Sequence, residues 1–249
     1  MLKADLHIHA NNDPFEFFIK YNAEQLIDHA SKLGFDVISI VGHNCMPYNK
    51  RLAKYAEKKG ILLIPGIELT LEKKHVLVYN TNPGDLKGIK KIRDLKRLRK
   101  NTNVLVIAAH PFFMYQSCLK EKLLENMGLF DAIEYVHFYR KQINLNKKAE
   151  RVAKRFNKPL VGNSDAHNLW QMDYTYSLID SKPDLKSVIK AIRSGNVKVA
   201  TKPLPLNVFL RVLFWIAHSK GKKIFKKYKN YINSETSMEN PEPIGAHRR

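Results

Sequence analysis

Val104-Leu-Val-Ile-Ala-Ala109, closed by His110-Pro111, is the stretch on which the fold turns. Six consecutive residues without a polar side chain suit a strand buried on both faces, the habit of strands covered by helices on each side. Pro111 cannot donate to a ladder and ends the strand, leaving His110 at its tip. The same arrangement repeats outward in both directions. Val37-Ile-Ser-Ile-Val-Gly42 leads to His43, Ile61-Leu-Leu-Ile-Pro-Gly-Ile67 to Glu68, Asp131-Ala-Ile-Glu-Tyr-Val136 to His137, and Pro159-Leu-Val-Gly162 to Asn163-Ser-Asp165-Ala-His167. The chain opens on Asp5-Leu-His7-Ile-His9.

Strands are therefore expected over 3–7, 36–41, 61–67, 75–79, 104–109, 131–136, 159–163, 174–179 and 197–200. Helical spacing falls between them. Ala23, Leu26, Ile27, Ala30 and Leu33 precede Gly34, a C-terminal stop. Leu86, Ile89, Ile92, Leu95 and Leu98 form a second apolar stripe, and 149–156 and 185–192 two more, with Lys-rich helices expected at 87–100 and 141–158. Alternation sustained to about residue 200 argues for an α/β barrel or a doubly wound sheet. Polar groups after nearly every strand favour the barrel, whose site gathers at the strand ends, over an open sheet, whose site lies at one switch point.

At 249 residues one large domain is the default, and the apolar fraction of 44% supplies a sizeable core. Domains are expected at 1–202 for the barrel, 203–233 for a basic, apolar helical extension packed on it, and 234–249 for a polar tail of disordered composition. Two cysteines give no disulfide framework and no secretory segment leads the chain, so a cytoplasmic protein is expected. The formal net charge of +20 attracts nucleic acid, anionic lipid or phosphorylated substrates without choosing among them. Leu204 to Ala217 is too short and interrupted for a spanning helix, which needs ~20 residues, and membrane contact is not expected. The lysines between 220 and 229 that follow it are the candidate nucleic-acid contact.

His7 and His9, two apart on an extended strand, point to the same side and offer two imidazoles to one ion. One such pair is a weak signal. The spacing returns in Asp165-x-His167 at another strand end, and two such pairs are hard to dismiss. Glu68 ends a run with no other polar side chain, so it is either exposed at a strand end or buried with a partner. A carboxylate there can bridge two ions with its two oxygens.

Together these segments resemble the PHP family, named after polymerase and histidinol phosphatase. The resemblance rests on Asp5-Leu-His7-Ile-His9, Gly42-His43-Asn44, Pro65-Gly-Ile-Glu68, Ala109-His110-Pro111 and Ser164-Asp165-Ala-His167, in the family's order and over residues 2–200. It implies a distorted seven-stranded α/β barrel binding two or three divalent ions (zinc, manganese or iron). It gives His7, His9, Glu68 and Asp165 to a first ion. A second would share Glu68 with His110 and either His75 or His137, and a third would take His43, His167 and Asp13. Here the chain departs from the family, with Asn11-Asn-Asp13-Pro14 in place of a Ser-Asp-Gly sequence.

The activity implied is hydrolysis of a phosphate ester by metal-activated water, on a phosphorylated small molecule, a nucleotide or a nucleic acid end. His75 or His137, where not a ligand, would protonate the leaving oxygen. A non-catalytic PHP-like subunit binding RNA or a protein is the alternative, but such a module tolerates loss of ligands and this chain keeps His7, His9, His43, Glu68, His110, Asp165 and His167. An amidohydrolase also begins with a His pair, yet usually needs a bridging lysine where this chain has Glu68.

Overall fold

The computed structural model describes residues 1–16 and 18–219. They fall into two units, Met1–Pro205 and the described part of Leu206–Arg249. In the first, the apolar runs fold as β1 (Leu2–Ile8), β2 (Val37–Ile40), β3 (Leu62–Leu63), β4 (Gly66–Leu71), β5 (Lys74–Tyr79), β6 (Leu105–Ala108), β7 (Ala132–Val136), β8 (Leu160–Asn163), β9 (Thr175–Ile179) and β10 (Val197–Thr201). The expected strand 61–67 is two strands, because Pro65 interrupts the ladder between Leu63 and Gly66.

The expected seven-stranded barrel does not form. The strands make two mixed sheets of five, in the orders β10-β9-β1-β2-β3 and β4-β5-β6-β7-β8, and neither closes on itself. Antiparallel pairs cause the difference. β4 turns into β5 through Glu72-Lys73, both at positive φ (50° and 66°), the conformation that a two-residue hairpin needs. β9 likewise runs antiparallel to β1 and β10.

The sheets meet along two seams with little ladder pairing. At one, the bridge is His43 with Glu68: the Glu68 N–H donates to the Gly42 carbonyl at 3.1 Å and the Asn44 N–H to the Glu68 carbonyl at 2.9 Å. At the other, Ile8 bridges Ala166, and the His9 N–H donates to the Ala166 carbonyl at 2.9 Å. Beside that bridge, a side chain stands in for a neighbouring strand. The Gly162 N–H donates to Ser177 Oγ at 2.9 Å, and that hydroxyl donates to the Gly162 carbonyl at 3.0 Å.

Helices cover the outer faces. α1 (Ala23–Lys32) starts at a capping box of Asn22 and Gln25, buries Leu26, Ile27 and Ala30, and ends before Gly34 at φ 72°. With α2 (Lys50–Lys58) it packs on β1 and β2 through Ile8, Ile38, Ile40, Leu52 and Ala56. α3 (Leu95–Leu98) and α5 (Asn146–Arg155) cover β4 to β8, and short α4 (Glu121–Glu125) adds Leu123 to the same core. The inner faces of both sheets share a core with α6 (Leu185–Arg193), including Leu6, Val37, Leu77, Ile107, Val161 and Ile192.

The Lys-rich helix expected over 87–100 is helical only over 92–98, a 3₁₀ turn at Ile92–Asp94 running into α3. Gly88 takes φ 81°, and the Asp94 carboxylate accepts from the N–H groups of Lys90 and Lys91, which caps the helical turn where it begins. Its apolar residues Ile89, Ile92, Leu95 and Leu98 are buried all the same. The other, expected over 141–158, is helical over 146–155.

In the second unit, residues 206–219 are helical. The basic run at 220–229 and the tail at 234–249 lie outside the described residues, and among those described no helix is long and apolar enough to cross a membrane.

Gly162 is where the second seam is tightest. A Cβ there would lie 2.5 Å from the Tyr176 carbonyl oxygen, a backbone atom that cannot swing away. Gly162→Ala should destabilise the protein by about 1–3 kcal/mol, the usual cost of forcing an extra carbon into a packed position. Urea unfolding followed by circular dichroism measures it. An unchanged midpoint would mean that the seam yields.

Candidate metal centre

The parallel bridges at the seams set the directions that assemble the site. β1, β2, β4, β6, β7 and β8 finish on one side, and β5, running the other way, begins there. His7 and His9 therefore meet His43, Glu68, His75, His110 and Asp165, drawn from both sheets. His110 and Asp165 turn off their strands with left-handed backbone, φ 26° and 49°, strained conformations of the kind held at functional sites.

Glu68 is the centre. Its side chain is 1% exposed, and each of its oxygens faces a different set of imidazoles. Oε2 lies 3.6 Å from His7 Nε2, 3.5 Å from His9 Nε2 and 3.2 Å from His43 Nε2. Oε1 lies 2.7 Å from His75 Nδ1 and 3.3 Å from His110 Nε2. Burial alone would raise the Glu68 pKa, but His75, His43 and His7 hold it well below the usual carboxylate range. Asp165 Oδ1 completes the first set, 3.3 Å from His7 Nε2 and 3.5 Å from His9 Nε2.

These residues fit divalent ions. The Nε2 atoms of His7 and His9 stand 3.1 Å apart, a separation that two bare lone pairs do not hold without a proton or cation between them. Burial opposes charge on His7, yet Glu134, Asp165 and Glu68 around it raise its pKa well above the ordinary value, whereas burial, with His167 and His43 beside it, lowers that of His9 to about 3. Among the described residues, five triads have donor atoms within 4.8 Å of one another: His7-His9-Glu68, His7-His110-Asp165, His43-Glu68-His75, His9-Asp165-His167 and His9-Asp13-His43. Imidazole and carboxylate donors of this kind suit zinc, manganese and iron alike.

The Asp13 loop reaches the cluster despite Pro14. Asp13 is buried, its Oδ2 accepts from the His43 N–H at 2.7 Å and lies 2.8 Å from His43 Nδ1, and its Oδ1 accepts from the Phe15 N–H at 2.7 Å. His9 Nδ1 is buried without a hydrogen-bond partner among the described residues, 4.0 Å from Asp13 Oδ2. His167 Nε2 lies 3.7 Å from Glu16, and its Nδ1 hydrogen-bonds the Asp165 carbonyl at 3.0 Å.

His75 and His137, weighed together from sequence, separate here. His75 is in the Glu68 cluster. His137 joins none of the triads: it is buried, with Nε2 3.4 Å from the Gln171 amide, and burial lowers its pKa to about 4.

Three carboxylates escaped the sequence reading of the site. Glu134, in the middle of β7, takes the His7 Nδ1 proton at 2.8 Å, the His110 N–H at 2.6 Å and the Asn163 amide at 2.8 Å. Since an ionised carboxylate only accepts, it keeps the ring proton of His7 on Nδ1 and turns the bare Nε2 inward. Asp5 accepts from the N–H groups of Ser164 and His7, and burial pushes it up to about 7. Glu16, buried and 3.7 Å from both His43 Nδ1 and His167 Nε2, faces the Asp13 side of the cluster. Glu134 carried the same signal as Glu68, a lone carboxylate in an apolar run. Glu16 sits in a loop with no periodicity to mark it.

Glu134→Gln keeps the shape of β7 but removes the fixed tautomer of His7. Metal affinity should fall roughly 10–100-fold, the usual cost of losing such a supporting carboxylate. Competition against a fluorescent chelator reads the change, and an unaltered affinity would leave Glu134 a purely structural group.

The residues 144–197 match the model of a family described as PHP-associated. No curated protein sequence matches the chain. Among solved structures, the fold is similar to that of a two-domain protein from Bacteroides vulgatus described as containing a predicted PHP-like metal-dependent phosphoesterase, with TM-score 0.63 and 20% identity over 86% of this chain and 69% of the other. It is also similar to PsfC from Pseudomonas syringae, with TM-score 0.59 and 16% identity over 88% and 98% of the two chains. The family match is thus confined to residues 144–197, and what the chain shares with these two structures is the fold.

Proposed function

We propose that this protein is a metal-dependent phosphoesterase that hydrolyses a phosphomonoester, a nucleotide or a nucleic acid end. The observation that carries the reading is the division of Glu68, one oxygen toward His7, His9 and His43 and the other toward His75 and His110. A carboxylate shared in this way suits two neighbouring ions. Divalent ions in such a site supply Lewis acidity toward phosphoryl oxygens and a water that ionises near neutral pH.

The chain's own groups do the rest. His7, His9, Glu68 and Asp165 would hold one ion, Glu68 with His110 and His75 another, and Asp13, His43 and His167 a third, with Glu16 beside them. Glu134 and Asn163 hold the first set in place from behind, Asn163 also accepting the Leu6 N–H at 2.9 Å. A group that hands a proton to the leaving oxygen must carry one at working pH and reach the substrate. His137, buried and with a depressed pKa, does neither well. His75, whose side chain is 17% exposed and paired with Glu68, is the better donor where it is not a ligand.

Metal-stripped protein refilled with zinc, manganese or iron should regain hydrolysis of phosphomonoesters with at least one of the three. Asp165→Asn should lower kcat by about 100-fold or more, on the scale of losing one electrostatic stabiliser of the transition state. Asn is chosen because it tolerates the left-handed backbone at 165, so the melting temperature should barely move. Full activity in that variant, or no activity with any metal on phosphomonoesters, nucleotides or single-stranded nucleic acid, would sink the reading.

The ion nearest the first loop can be tested separately. Asp13→Ala should bind one equivalent of metal fewer than the parent, as counted by elemental analysis after gel filtration. The same count in both proteins removes Asp13 from the ligands.

A further inference from the structure

Where β6, β7 and β8 begin, at the end of the strands away from the metal centre, Arg99, Thr102, Asp131, Asn157, Lys158 and Arg193 line an open pocket of about 270 Å³. The five residues of β7 lie between this pocket and the histidine cluster, a span of roughly 15 Å.

Asp131 is buried at the pocket and needs only part of the positive charge around it. Arg193 forks its carboxylate, Nε to Oδ1 at 3.1 Å and Nη2 to Oδ2 at 3.3 Å, and the Val106 N–H donates to Oδ2 at 2.9 Å. Those donors satisfy a buried carboxylate. The rest of the Arg193 guanidinium donates to the Thr102 and Val104 carbonyls.

Two more cations converge on the same place. Arg99 reaches Asp131 through Nη1 alone, and Lys158 Nζ donates to the Phe130 carbonyl at 2.7 Å. A guanidinium carries five N–H groups and an ammonium three, so most of their donors have no acceptor among the described residues. Three cations against one carboxylate leave an excess of two positive charges. The setting is only partly wet, with the Arg99 and Arg193 side chains 29% and 25% exposed. Burial lowers the Lys158 pKa, Asp131 recovers only part of that loss, and Arg99 adds to it. An anion between Arg99 and Lys158 would relieve the repulsion and take up the spare donors.

We infer that this pocket binds a small phosphate-type oxyanion, either inorganic phosphate or the phosphoryl group of a small ester. The planar Arg99 fork matches two oxygens of such a group, and the Lys158 ammonium supplies a point charge. The volume lies just below the ~300–1,000 Å³ of pockets for larger ligands, which favours a compact one. The site is separate from the histidine cluster and does not depend on the reaction proposed there.

Calorimetric titration of the metal-stripped full chain with inorganic phosphate, and in parallel with glycerol phosphate, tests it. Chloride at about 0.15 M screens loose attraction to the basic surface. Lys158→Gln removes one charge and one hydrogen bond, so the fold should hold while affinity falls about tenfold. Arg99→Gln should act alike, since Arg193 still forks Asp131. Asp165→Asn, at the other end of the strands, should leave the affinity as it is. Binding of either ligand that both Gln variants weaken supports the site, and the tighter ligand names its source. If Arg99→Gln does not fold, as judged by circular dichroism, Lys158→Gln decides alone. No binding of either ligand, or unchanged affinity in a folded Gln variant, overturns the inference. So does an equal loss in Asp165→Asn, which would place the phosphate among the histidines.

Discussion

Negative charge held out of water organises this molecule. Glu68 and Glu134 are buried at the junction of two sheets, and a buried carboxylate is tolerated only with partners of matching chemistry. Each has them in quantity. Glu134 is satisfied by one ring N–H, one backbone N–H and one amide, all fixed by strand positions. Glu68 instead faces five imidazoles, groups that can change proton number or surrender a lone pair. One carboxylate is therefore locked and supports the fold. The other is left with capacity for a cation, and the polar clustering around it follows from that difference.

How much of this the sequence displays depends on the range of the interaction. The strand runs were legible because burial on both faces leaves an unbroken apolar signature, and their terminal polar residues stood out against it. His7, His9, Glu68, His110 and Asp165 do come together, and Asp13 reaches His43 although Pro14 alters its loop. The separation of His75 from His137 was not legible. Both follow or begin an apolar run, and only the reversed direction of β5 brings His75 to the cluster while β7 delivers His137 to Gln171.

The barrel fails for a related reason. A run such as Val76-Leu-Val-Tyr79 has the same composition whether it lies parallel or antiparallel to its neighbour, so its direction rests on the connection. Glu72-Lys73 makes a tight hairpin without the Asn-Gly or Asp-Gly that usually announces one. Periodicity also overstated the helix at 86–98, where the apolar stripe is genuine and buried but Gly88, at positive φ, precedes a helix that starts only at Ile92. Packing can reward a hydrophobic spacing without the conformation that the spacing suggests.

Two open sheets leave four edges, and an unpaired edge is a template on which another chain can add a strand. The first unit leaves few of them available. β3 is only two residues long, too short to seed a ladder. β4 spends backbone groups of Glu68 on Gly42 and Asn44, and β8 spends those of Gly162 on the Ser177 hydroxyl. β10 remains, with Lys198 and Thr201 turned to solvent. The seams that fail to make a closed barrel thus still protect the protein from aggregation, since they occupy hydrogen-bonding groups that would otherwise recruit a neighbouring molecule.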